Sequence, residues 1–66
     1  MLIKRLYENE YNIINPNFII RAWRTRNDLR DSGYEHYVRI LGYDDYFVID
    51  ENSYNRIADW MERHDV

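Results

Sequence analysis

The clearest periodicity in this chain lies at its end. From residue 53 the apolar positions Tyr54, Ile57, Ala58 and Met61 fall at i, i+3, i+4 and i+7, one stripe of an amphipathic helix with Trp60 at its margin. Asp50 or Asn52 can accept hydrogen bonds from the free amides of the first turn. Asp50 and Glu51 suit the positive end of that helix, as Arg63 and His64 suit the other. A helix with one apolar stripe needs a surface to bury it against, and the rest of the chain supplies strands. The pattern predicts an α+β fold in a single domain, residues 1–66: a small antiparallel sheet of three or four strands followed by one C-terminal amphipathic helix.

Residues 17–26, NFIIRAWRTR, alternate as a strand, with Phe18, Ile20 and Ala22 expected on one face and Ile19, Arg21 and Trp23 on the other. Residues 34–41, YEHYVRIL, read as a second strand whose inward set is His36, Val38 and Ile40. GYDD then turns the chain and YFVI returns it, so residues 34–49 form a hairpin. MLIKRLY is assigned to a strand on its β-branched and aromatic content, although Leu2, Ile3, Leu6 and Tyr7 also fit a helical stripe; a hairpin-like ENEYN follows. Asn15, Pro16 and Asn17 make a turn, because proline pushes the preceding residue into an extended conformation. NDLRDSG is a loop closed by Gly33.

A chain of 66 residues hides only roughly 60% of the surface its unfolded form exposes. Its eleven aromatic residues, seven of them Tyr, exceed what so small a core can enclose. Tyr, Trp and Arg are the side chains favoured at interface centres, so a homodimer or a surface that docks on a partner is expected. Cysteine is absent, which excludes disulfides, and His36 and His64 cannot complete a structural zinc site without thiolates. No long apolar run is present, and MLIKRLYENE lacks an apolar segment ending in a small-residue cleavage site. A cytoplasmic protein without membrane association or cofactor is expected.

Four carboxylates crowd into residues 44–51 of LGYDDYFVIDEN, interleaved with aromatics. Asp44 and Asp45 belong to the hairpin turn and Asp50 and Glu51 to the helix entry, one strand length apart, roughly 13 Å for about four residues. One metal ion cannot reach both pairs, and no EF-hand spacing occurs. Turn formation and helix capping account for all four acids. Beyond that role, rigid tyrosines beside carboxylates combine contact area with steering toward a positive patch. The expected partner-binding surface is Tyr43, Asp44, Asp45 and Tyr46 at the hairpin tip, extended by Glu35 and Tyr37.

The charge is asymmetric in sequence: residues 17–30 carry +3 and residues 31–52 carry −5, within a net −3. The basic segment offers an alternative surface of Arg21, Trp23, Arg24 and Arg26, on which an aromatic beside a guanidinium can stack a base. The overall acidic balance ranks nucleic acid below a protein partner. Against that use, Trp23 is expected to bury against the helix or a second subunit, with the arginines reaching outward or pairing with Glu35. For catalysis the chain offers little. His36 sits on an inward strand face, Ser32 in a loop, Ser53 near the helix start and His64 in the last turn, so no enzyme is expected.

Two resemblances add to this reading. Two adjacent aspartates after an aromatic on a hairpin resemble the catalytic turn of reverse transcriptases, but only over four residues, and two-metal chemistry needs further carboxylates. The order KRLY, INPNFI, YVRILGYDDYFVIDE, RIADW looks like the small flagellar-operon proteins of motile bacteria, which run a strand, an Asn-Pro turn, a hairpin and a closing helix. This chain departs from them in lacking an early Asn-Gly turn and in its longer loop at residues 27–33, and no functional residue carries over. The expected function is therefore a non-enzymatic, acidic binding protein. It would occupy and block or modulate a protein partner with a basic surface, in the style of viral and mobile-element inhibitors of nucleic-acid-handling proteins. A small structural or regulatory subunit is the alternative, and a nucleic-acid binder comes third.

Overall fold

A computed structural model describes residues 1–64. In chain order the elements are β1 (Leu2–Arg5), β2 (Glu10–Ile13), a 3-10 turn (Pro16–Phe18), β3 (Ile19–Arg26), β4 (Tyr34–Ile40), β5 (Phe47–Ile49) and α1 (Glu51–His64). The strands form one sheet in the order β2-β1-β5-β4-β3, every neighbouring pair antiparallel. The fold is α+β with five strands rather than three or four. The additional strand is β2, whose ladder with β1 runs from Leu2 opposite Ile13 to Arg5 opposite Glu10. Four residues at a sheet edge have too little apolar patterning to declare themselves; the pairing with β1 makes them a strand. The hairpin between them turns through residues 6–9, where Asn9 takes a φ of 49°, a left-handed conformation that asparagine tolerates.

The buried core consists of Ile3, Ile14, Ile19, Val38, Ile40, Phe47, Ile49 and Ile57, with Met1, Ala22, Tyr54 and Met61 packed against it. Ile57 is the helix residue at its centre, and α1 crosses β4, β1 and β3 on one face of the sheet. His36, Val38 and Ile40 point inward as their alternation implies. The face assignment in β3 changes at one point. A register shift between Ile19 and Arg21 makes Ile20 the extra residue of a β-bulge. Ile19 is buried opposite Ile40 and Ile20 is exposed, so Ile19 shares the helix face with Ala22, while Arg21 and Trp23 stay together on the other face.

Helix and sheet are joined by side-chain hydrogen bonds. Asp50 Oδ1 accepts from the Ser53 amide at 2.8 Å, which settles Asp50 as the cap. The β1 edge continues past the three-residue β5, and there the helix supplies partners: Lys4 N–H donates to Ser53 Oγ at 2.9 Å and Arg56 Nη1 donates to the Leu2 carbonyl at 3.0 Å.

Candidate functional site

One helix covers one face of the sheet, and no other helix or strand among the described residues covers the opposite, open face. Strand parity places Trp23 of β3 and Tyr37 of β4 there as a directly opposed pair. Their rings stack at 5.3 Å between centroids with an interplanar angle of 18°. Tyr46, next to inward-facing Phe47, joins them edge-on at 5.2 Å from Tyr37 and 5.9 Å from Trp23. These separations are those of favourable aromatic pairs, so the three rings brace one another. Tyr46 remains 46% exposed.

Beside the rings lie two guanidinium groups. Arg21 sits 4.8 Å over the Trp23 ring, and Arg21 is directly opposite Arg39 in the β3–β4 ladder. Like charges opposed across strands destabilise a sheet, and neither arginine has a carboxylate partner among the described residues. Arg39 was not among the expected site residues. The signal for it is the parity of β4: if His36, Val38 and Ile40 face the core, then Glu35, Tyr37 and Arg39 share the open face.

The fold redistributes the two expected surfaces. Trp23 and Arg21 from one, and Tyr37 and Tyr46 from the other, come together on the open face. Trp23 does not bury against the helix. Tyr43 turns away from Tyr46 and packs edge-on against Phe47 at 4.8 Å, where Arg5 also lies 4.2 Å from the Phe47 ring. Asp44 and Asp45 are exposed between the two tyrosines, and Asp45 Oδ1 accepts from the Tyr46 amide at 2.8 Å. Arg24 lies on the helix-covered face of the β3 edge, 4.2 Å over Tyr34, and Arg26 pairs with Asp28 at 3.3 Å in solvent.

Glu35 belongs to a separate arrangement at the start of β4. Its Oε1 accepts from Tyr7 Oη and its Oε2 from Asn27 Nδ2, both at 2.8 Å, and Arg30 Nη2 is 3.7 Å away. Arg30 also donates to Tyr7 Oη. These contacts fasten the 27–33 loop to the β1–β2 turn, so Glu35 holds the scaffold together at the end of the sheet away from the hairpin tip.

Asp44 and Asp45 precede β5 whereas Asp50 and Glu51 follow it, so the two acidic pairs are separated by that strand. No three His, Asp or Glu side chains among the described residues are grouped closely enough to hold a metal ion. Burial holds the His36 imidazole below its ordinary pKa; Glu51 and Asp50 oppose that shift and Arg24 adds to it. Ser53 is fully buried in the first turn of α1, Ser32 Oγ bonds the backbone of Tyr34, and His64 Nδ1 lies 2.8 Å from the Trp60 carbonyl. None of these histidines and serines is paired with another among the described residues. No helix among them is long and apolar enough to cross a membrane. No protein-family model matches this chain, and comparison with curated proteins and with solved structures finds no match either.

Proposed function

We propose that this chain is a non-enzymatic cytoplasmic binding protein that occupies, and thereby blocks or modulates, a protein partner through the open face of its sheet. The observation that carries this reading is the braced cluster of Trp23, Tyr37 and Tyr46 with Arg21 upon it, left uncovered by α1. Rigid aromatics and arginine are the side chains that dominate interface energetics, and here they are already ordered before a partner arrives. Asp44 and Asp45, exposed next to Tyr46, steer the approach of a basic surface. Self-association belongs to the same proposal: the outer end of the open face carries Leu2, Tyr11 and the 86%-exposed Ile13, apolar surface that a second copy would cover.

The test is capture from the source cell on immobilised wild-type protein, alongside Tyr46→Ala. A protein retained by the wild type and released by the variant supports the reading; identical retention by both overturns it. The opposition of Arg21 and Arg39 beside stacked rings favours one other reading, single-stranded nucleic acid. A labelled oligonucleotide shifted by the wild type and not by Arg21→Ala would establish that reading instead.

A further inference from the structure

A cleft of about 440 Å³ opens at the end of the sheet where β4 begins, β5 ends and α1 starts. Leu6 and Ile49 give it an apolar wall, and Asp31, Asp50 and Glu51 bring carboxylates to it. None of these three acids has an ion-pair partner among the described residues. The cation that also lines the cleft, Arg30, is committed to Glu35 and to the Tyr7 ring 4.8 Å away. The positive end of α1 is already met by Asp50, which caps it, and by Glu51 in its first turn, so little remains there to attract an anion.

A second observation points to a ligand independently of the acids. His36 lines this cleft, is only 4% exposed, and packs its ring 4.8 Å from Tyr54. Neither of its ring nitrogens has a hydrogen-bond partner among the described residues. The fully enclosed polar atoms without partners among the described residues are Arg5 Nε and Asn12 Nδ2, not the imidazole nitrogens: His36 is deeply buried, yet its unbonded nitrogens keep some accessible surface, and the residue borders a cavity large enough for a small ligand. The surrounding carboxylates are too dispersed to hold a metal ion.

We propose that this cleft binds an organic cation, a primary ammonium or guanidinium on a short aliphatic stem, with the stem on Leu6 and Ile49 and the head among Asp31, Asp50 and Glu51. Neutral His36 presents an acceptor nitrogen to the N–H groups of the head. Arg24, on the neighbouring strand, Glu51 in the first turn of α1 and Asp50 just before it are the charges that act on the imidazole. The cation is either a free amine or a Lys or Arg side chain of a partner. The site lies at the end of the sheet, apart from the aromatic cluster, so it stands or falls separately from the open-face reading.

The experiment is a titration of isotope-labelled protein, followed by NMR at the His36 ring and the Glu51 amide, with 1,4-diaminobutane, butylguanidinium and a blocked lysine-containing tripeptide. Saturable shifts are expected, together with a downward move of the His36 pKa as the cation adds its charge. Asp31→Asn and Glu51→Gln, both at exposed positions, should each weaken binding about threefold. A tripeptide that binds more tightly than the amines identifies a partner side chain; parity identifies a free amine. The proposal is overturned by the absence of shifts, by equal shifts with 1-butanol, or by inorganic phosphate that raises the His36 pKa. The comparison of amine with alcohol uses wild-type protein alone, so it holds even where a variant fails to fold.

Discussion

Ser53 Oγ accepts a hydrogen bond from the backbone amide of Lys4 at 2.9 Å, across 49 residues of sequence. The serine is fully buried in the first turn of α1, and the amide belongs to the β1 edge where β5 has run out. One hydroxyl thus completes the sheet ladder and anchors the helix. Ser53→Ala leaves that amide without a partner and should cost about 1–3 kcal/mol. Urea denaturation measures it; an unchanged midpoint would mean that water replaces the hydroxyl without loss.

Ile57 has no exposed surface and joins α1 to the core. Ile57→Ala should destabilise by about 2–5 kcal/mol. In a domain whose whole margin is on the order of 5–15 kcal/mol, a substantial unfolded fraction is expected at 37 °C. Circular dichroism against temperature checks this, and a transition within a few degrees of wild type would show that the cluster is less dependent on the helix than its burial implies.

His36 makes stability depend on pH. Burial lowers its pKa in the folded chain below the 6.5 of the unfolded one. As pH falls through 6.5, the unfolded state takes up a proton that the folded state resists, and stability declines until the lowered folded pKa is reached. The contribution is fully present above the unfolded value and lost below it. Unfolding midpoints measured from pH 7.5 downward should therefore fall in the wild type before carboxylates titrate. In His36→Leu that early decline should be absent; an equal decline in both would assign it to other groups.

On the open face, contact and steering are separable. Tyr46, 46% exposed, contributes little to the core, so Tyr46→Ala should change stability by less than about 1 kcal/mol while accelerating dissociation from a partner tenfold or more. Asp44→Asn with Asp45→Asn retains turn propensity and should instead slow association and flatten its salt dependence. Surface plasmon resonance at two ionic strengths distinguishes the two effects. A slower on-rate from Tyr46→Ala alone would reverse the assignment.

A dimer is the expected solution state. Light scattering at high micromolar concentration should give twice the monomer mass, and Ile13→Glu, at a position 86% exposed, should return the mass to that of one chain without unfolding it. A monomer mass for the wild type excludes the self-association.

Local pattern alone determined much of this protein. The stripe Tyr54, Ile57, Ala58 and Met61, the Asp50 cap, the inward set of β4 and the 34–49 hairpin were all legible because each depends on periodicity or capping within a few residues. Pairing between distant segments was not. β2 exists because β1 lies beside it, and the β3 bulge at Ile20 reverses the expected side of Ile19 because the register with β4 shifts there. The same dependence governs the candidate sites. Tyr43 and Tyr46 are three residues apart, yet one packs on Phe47 and the other joins Trp23 and Tyr37 on the opposite face. His36 and Glu51 meet at one cleft only because β5 returns the chain and α1 starts at its end. Sequence records which side chains are available to each face, but strand order decides which of them become neighbours, since hydrogen-bonded ladders bring together residues that no local period relates.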